Sequence, residues 1–140
     1  MCIRDRDIYN TEYTLEFGEA NGVPEENLNK ERAVGKIQRE SFSAAVEAGV
    51  KMVMGTDAAI FPHGLNARQL SRMVRFGMTE LQALQAATIN PAAMLKQANL
   101  GQIKAGYLAD IIAVEGNPLE DISILENVQF VMKDGDVFVK

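Results

Sequence analysis

Four side chains in this sequence are of types that could do chemistry together: Asp57 and His63 in the run VKMVMGTDAAIFPHG, residues 50 to 64, and Tyr9 and Asn10 near the start. An apolar stretch that stops on Gly-Thr-Asp delivers a carboxylate from a buried strand to a surface loop. There it can bind a divalent cation or take a proton from an attacking water. His63 is the only histidine in the chain and follows six residues later. Pro62 and Gly64 can hold its loop in shape beside the strand end. Tyr9 and Asn10, at the end of another candidate strand, could present a phenol and an amide to the same opening. Each has a plainer reading. An aspartate after a strand often satisfies loop amides, and a loop histidine after proline is more often a hydrogen-bonding residue than a ligand. Tyr9 can be packing and Asn10 a helix cap. A zinc site takes several protein ligands and keeps a position for water, which one carboxylate and one imidazole do not supply.

The elements that must carry these groups follow from periodicity and punctuation. VKMVMG lies between Gly49 and Gly55 and is too short for a helix, so it is a buried strand. DIYN, residues 7 to 10, reads as the end of another. In parallel α/β architectures functional groups gather at the carboxyl ends of strands. With Asn10 as cap, TEYTLEFGEANG forms a short helix closed by Gly22. A longer helix follows, with Pro24 near its start, Glu25 and Glu26 in its first turn and Gly49 at its end. Val34, Ile37, Phe42, Ala45 and Val46 supply its apolar stripe, and Glu25, Glu26 and Glu31 its solvated face. Asn66 can cap a helix carrying Leu70, Met73 and Val74, which Gly77 ends. Thr79 and Gln82 form the capping box of ELQALQAATI. Asn90 and Pro91 open a short helix around Ala93 to Ala98. Met52, Met54, Met73 and Met94 sit at core positions, as gap fillers rather than metal ligands. From Gly101 the runs ADIIAV and VQFVMKDGDVFVK are strand-like, with a type I′ turn at Asp134-Gly135. Asp110 is expected to tie down the glycine-containing loop before it. The organisation is α/β to about residue 98, then β.

With 140 residues, 47% of them hydrophobic and 24% charged, the chain can bury a core. Its 14 basic against 19 acidic residues, net charge -5, disfavour nucleic acid as a partner. No apolar run approaches the roughly 18 residues that span a bilayer, and no segment reads as a signal peptide. A cytoplasmic location is expected. The single cysteine, Cys2, excludes an intrachain disulfide and a Cys-x-x-Cys metal site. The first six residues, MCIRDR, resemble the translated end of a transposon adapter used in preparing sequencing libraries. On that reading residues 1 to 6 are a non-native leader and the chain is the C-terminal piece of a longer protein. A frayed native terminus is the alternative.

The runs GVKMVMGTDAAIFPHGLNARQL, GMTELQALQAATINPAAML, LGQIKAGYLADIIAVEGNPLEDI and VQFVMKDGDVFVK, preceded by DIYNTEYTLEFGEANGVPEENL, resemble in their combined order the C-terminal part of metal-dependent amidohydrolases. The resemblance is to the branch similar to imidazolonepropionases and Xaa-Pro dipeptidases. It implies the last part of a (β/α)8 TIM-like barrel over residues 7 to 100, with residues 7 to 10 closing strand seven and residues 50 to 57 forming strand eight. Residues 101 to 140 would be strands of a small composite β-sandwich domain. It also implies one or two divalent metal ions, zinc first, with Asp57 as both metal ligand and proton shuttle. Tyr9, Asn10 and His63 would contact the substrate. The family's His-x-His pair, carboxylated lysine and further histidines would all precede residue 7.

The implied reaction is hydrolysis of an amide, peptide or cyclic amide C–N bond by metal-activated water. A dipeptidase or carboxypeptidase-like substrate comes first and an imidazolonepropionase-type cyclic amide second. The segment alone would be inactive, and the complete protein could be a homo-oligomer. A different class, a non-catalytic binding or assembly module, is allowed by length. Unpaired parallel strand edges and tail strands without partners count against it.

Overall fold

A computed structural model describes residues 3–139, and the side chains of residues 7–139; Met1, Cys2 and Lys140 lie outside them. Strand β1 (Ile3–Arg6) and strand β2 (Lys51–Met54) pair in parallel, Ile3 opposite Lys51 and Arg6 opposite Met54. Parallel neighbours need a long crossover, and helices α1 (Ile8–Phe17) and α2 (Glu25–Glu47) provide it. Met52 and Val53, adjacent in β2, are both buried, so both faces of this strand are covered. That is why its sequence is continuously apolar rather than alternating.

The expected strand end at residues 7 to 10 is corrected. The strand is Ile3–Arg6, and Ile8, Tyr9 and Asn10 form the first turn of α1. Ile8, Tyr9, Asn10 and Thr11 are all buried. A helical turn enclosed on every side loses the amphipathic spacing that distinguishes it from a short strand. Asp7, not Asn10, stands at the cap position, and its side chain makes no capping bond.

Helix α2 starts after Pro24, carries Glu25 and Glu26 in its first turn and is followed by Gly49 at φ 66°. Its buried residues, Leu28, Gly35 and Phe42, recur every seventh position and form one face. Val34 and Ile37 are 49% and 66% exposed, so the expected stripe is displaced. Ile37 stands two residues, about 200°, around the helix from Gly35. At Gly35 the helices approach closely: an added Cβ would lie 2.4 Å from Cγ2 of Thr11.

After β2 come α3 (Arg68–Arg75), α4 (Glu80–Ala87) and α5 (Ile89–Met94). Asn66 does not cap α3; its Oδ1 instead accepts the Gly64 N–H at 3.3 Å. The capping box of α4 is present, with Thr79 Oγ1 accepting from the Gln82 N–H at 3.2 Å and Gln82 Oε1 from the Thr79 N–H at 2.8 Å. Helix α5 begins before Asn90, whose Nδ2 donates to the Met52 carbonyl at 2.9 Å, and it ends before Ala98. Met94 is exposed rather than in the core.

Strands β3 (Ile111–Ala113), β4 (Phe130–Lys133) and β5 (Asp136–Val139) form an antiparallel sheet in that order. Asp134 and Gly135 have φ of 52° and 87°, the two positive values a type I′ turn demands. Asp110 ties down this hairpin rather than the loop preceding itself, accepting from Lys133 Nζ at 2.6 Å and from the Asp134 N–H at 2.9 Å. The bonds from Lys133 and then Asp134 hold its carboxyl below the ordinary value. Between β3 and β4, a 3-10 turn (Ile122–Glu126) inserts Ile122 and Leu125 into the cluster formed by Ile8, Phe42, Met52, Leu70 and Met73. Burying such a side chain stabilises by about 1.5–3 kcal/mol, so the tail is fastened to the helical layer by a shared core.

Candidate active site

Asp57 lies three residues past Met54, beyond the carboxyl end of β2. Its backbone is left-handed, φ 46°, a region that aspartate and asparagine enter more readily than other side-chain-bearing residues. The side chain is exposed, and its Oδ2 accepts a hydrogen bond from Asn10 Nδ2 at 3.2 Å. Two elements 47 residues apart thus meet at this carboxylate, β2 through its loop and α1 through its buried first turn. Asn10 is 8% exposed, and its Oδ1 is buried without a hydrogen-bond partner among the described residues.

Tyr9 is brought close to the same place but is wholly buried. Its hydroxyl accepts from Arg68 Nη1 at 3.0 Å and its backbone N–H donates to Gln69 Oε1 at 2.8 Å. Its ring meets Phe61 edge-on with centroids 4.8 Å apart, and the Arg72 guanidinium lies 5.2 Å from the ring centre. These contacts give Tyr9 a packing role in holding α1 against α3. The bond to Tyr9 raises the Arg68 pKa above its ordinary value, against a smaller opposing effect of burial; Arg68 is charged in either case. His63 stands exposed beyond Phe61, which is buried and anchors the loop.

Three supporting groups escape a sequence reading. Gln69 is fully buried although polar, because it serves the Tyr9 amide. Arg72 pairs with Glu12 at 2.6 Å, fastening α3 to α1, and Asn90 ties α5 to β2. The spacing of Arg68, Arg72 and Arg75 along one helical face is a signal that could have found Arg72. Nothing local marks Gln69 as interior.

Among the described residues, no three His, Cys, Asp or Glu side chains gather closely enough to hold a metal ion. Among these residues Asp57 has no second carboxylate, imidazole or thiolate gathered with it into such a cluster. A cavity of about 140 Å³ lined by Val46, Val50, Met52, Met78 and Asn90 includes neither Asp57 nor Asn10.

Residues 7–138 match the model of the amidohydrolase family. Ochratoxinase of Aspergillus niger is 42% identical over 123 residues, which covers 84% of this chain and 25% of that protein. A Xaa-Pro dipeptidase solved with methionine bound in its active site superposes with a TM-score of 0.86 at 41% identity, covering 95% of this chain and 33% of that one. A prolidase solved with N-methylphosphonate-L-proline gives 0.84 at 29% identity, covering 97% and 34%. The chain therefore spans a quarter to a third of the length of these relatives. Its fold is α/β, the C-terminal portion of a TIM-like (β/α)8 barrel followed by strands of a small β domain. The chain belongs to the amidohydrolase family.

Proposed function

We propose that this chain is the C-terminal part of a metal-dependent hydrolase that cleaves the C–N bond of a dipeptide, with Asp57 as its proton-transferring carboxylate. The observation that carries the proposal is the placement of Asp57: past the carboxyl end of β2, in a left-handed turn, exposed, and held at Oδ2 by Asn10. Carboxyl ends of barrel strands are where catalytic groups of this architecture collect. The dipeptide is favoured by similarity to a Xaa-Pro dipeptidase and a prolidase. Residues 7–100 would form the end of the barrel and residues 101–140 the composite β domain. No helix among the described residues is long and apolar enough to cross a membrane; a cytoplasmic enzyme acting on small molecules is the reading we adopt.

When bound, a divalent ion, zinc in this reading, would supply Lewis-acid activation of a water and of the substrate carbonyl. Asp57 would contribute one ligand to it. As the water oxygen bonds to the scissile carbonyl carbon, Asp57 takes the released proton. It returns that proton to the departing amine nitrogen as the C–N bond breaks. His63, on the exposed loop after Asp57, would meet the substrate.

In the longer protein, Asp57→Asn should keep the fold and lower dipeptide turnover by about two to four orders of magnitude, the usual contribution of a general base. Wild-type-like turnover in that variant ends the proposal.

A further inference from the structure

We infer that Asn10 is a positioning residue for Asp57, its amide selecting which carboxylate oxygen is left to react. The inference rests on the role given to Asp57 above and assigns Asn10 a task different from substrate contact. Asn10 is buried in the first turn of α1, and its Nδ2 donates to Asp57 Oδ2 at 3.2 Å. The amide stands this way round because the reverse would set its carbonyl oxygen against a carboxylate oxygen, acceptor against acceptor. An aspartate on an exposed loop otherwise turns freely about χ2, whose wells are broad. Here the Asn10 amide holds Oδ2 at 3.2 Å, leaving Oδ1 for the reacting water.

The second observation is the buried Oδ1 of Asn10, which finds no donor among the described residues. An amide oxygen left without a partner in the interior is destabilising. A donor from outside residues 7–139 would remove that cost and lock the amide at its other end. With such a donor Asn10 would connect the reacting carboxylate to the rest of the barrel.

The test uses the full-length, metal-loaded enzyme and a dipeptide substrate, with Asn10→Ala and the near-isosteric Asn10→Asp, each also in the Asp57→Asn background. Loss of one bond to a charged group should lower kcat by about 10- to 100-fold with KM within about twofold. In the Asp57→Asn background the same change should cost less than about twofold, because both residues act through one group. Asn10→Asp, which keeps the shape and sets a second carboxyl against Asp57 in place of the amide donor, should fall at least as far and serves if Asn10→Ala does not fold. In the metal-free protein, the Asn10 side-chain amide NMR signal, identified by its loss in Asn10→Asp, should move in Asp57→Ala. A rise in KM at constant kcat, unchanged kcat, full additivity with Asp57→Asn, or an unmoved amide signal would each overturn the inference. Should Asp57→Asn itself keep wild-type turnover, the function proposed for Asp57 fails first; loss there beside a wild-type Asn10→Ala removes the positioning role alone.

Discussion

Replacing Gly35 by alanine tests the packing that carries Asn10 to Asp57. The substitution adds one methyl at the α1–α2 crossing, and its carbon would lie 2.4 Å from Thr11 Cγ2 and 3.2 Å from Arg39 Nη1. The arginine end can swing away. Thr11 has less room: it is 6% exposed, and in a helix its β-branched side chain is restricted to two χ1 rotamers. Ordinary carbon contacts need about 3.5–4.0 Å, so the helices must part by about an ångström or the threonine must leave its rotamer. Overpacking of this kind costs about 2–3 kcal/mol, and glycine to alanine in a helix interior returns about 1 kcal/mol. The net expectation is a destabilisation of about 1–2 kcal/mol. Because Asn10 precedes Thr11 in the same helical turn, parting the helices also displaces the amide that donates to Asp57 at 3.2 Å.

The decisive assay is a double-mutant cycle by urea unfolding of the full-length protein with Thr11→Ser. Serine lacks Cγ2 and keeps the hydroxyl that donates to Glu31 and Gln38. Gly35→Ala should destabilise the parent and stabilise the Thr11→Ser protein, a reversal of sign. Equal effects in both backgrounds would refute the steric account.

Two further outcomes follow from the geometry. The Asp110 carboxyl is held below its ordinary value of 3.8 by Lys133 and Asp134, so its contribution to the hairpin is fully present above that value and is lost as pH falls through the lowered one. Protection of the hairpin amides against hydrogen exchange should fade in that acid range, and Asp110→Asn should flatten the dependence; an unchanged profile would show that the clamp is idle. Asn90→Ala removes the 2.9 Å donor to the Met52 carbonyl and should cost about 1–3 kcal/mol in urea unfolding, whereas a neutral result would place water at that carbonyl.

Much of the fold was legible because its signals are local. Pro24, the two glutamates after it and Gly49 bracket α2 without reference to any other element. Thr79 with Gln82, and Asp134 with Gly135, are chemistry contained within four residues. What failed depends on which face meets which neighbour. Val34 and Ile37 are apolar and suitably spaced, yet α2 meets α1 through Gly35, a residue with no hydrophobicity to announce itself. The first turn of α1 read as a strand because burial on all sides erases periodicity.

The site divides along the same line. The position of Asp57 beyond a strand end was legible from the apolar run before it, since the strand and its loop are contiguous in sequence. Its partnership with Asn10 spans 47 residues and exists only because two separate constraints coincide. Gly35 and Thr11 set how closely α1 lies on α2, while Gln69 and Arg68 pin Tyr9, the residue next to Asn10, from the side of α3. A carboxylate exposed on a loop gains a fixed orientation only if the group holding it is itself immobile, and these contacts from two sides immobilise that turn of α1. The interior packing of a helix that presents no reacting group would then decide how well the reacting one is aimed.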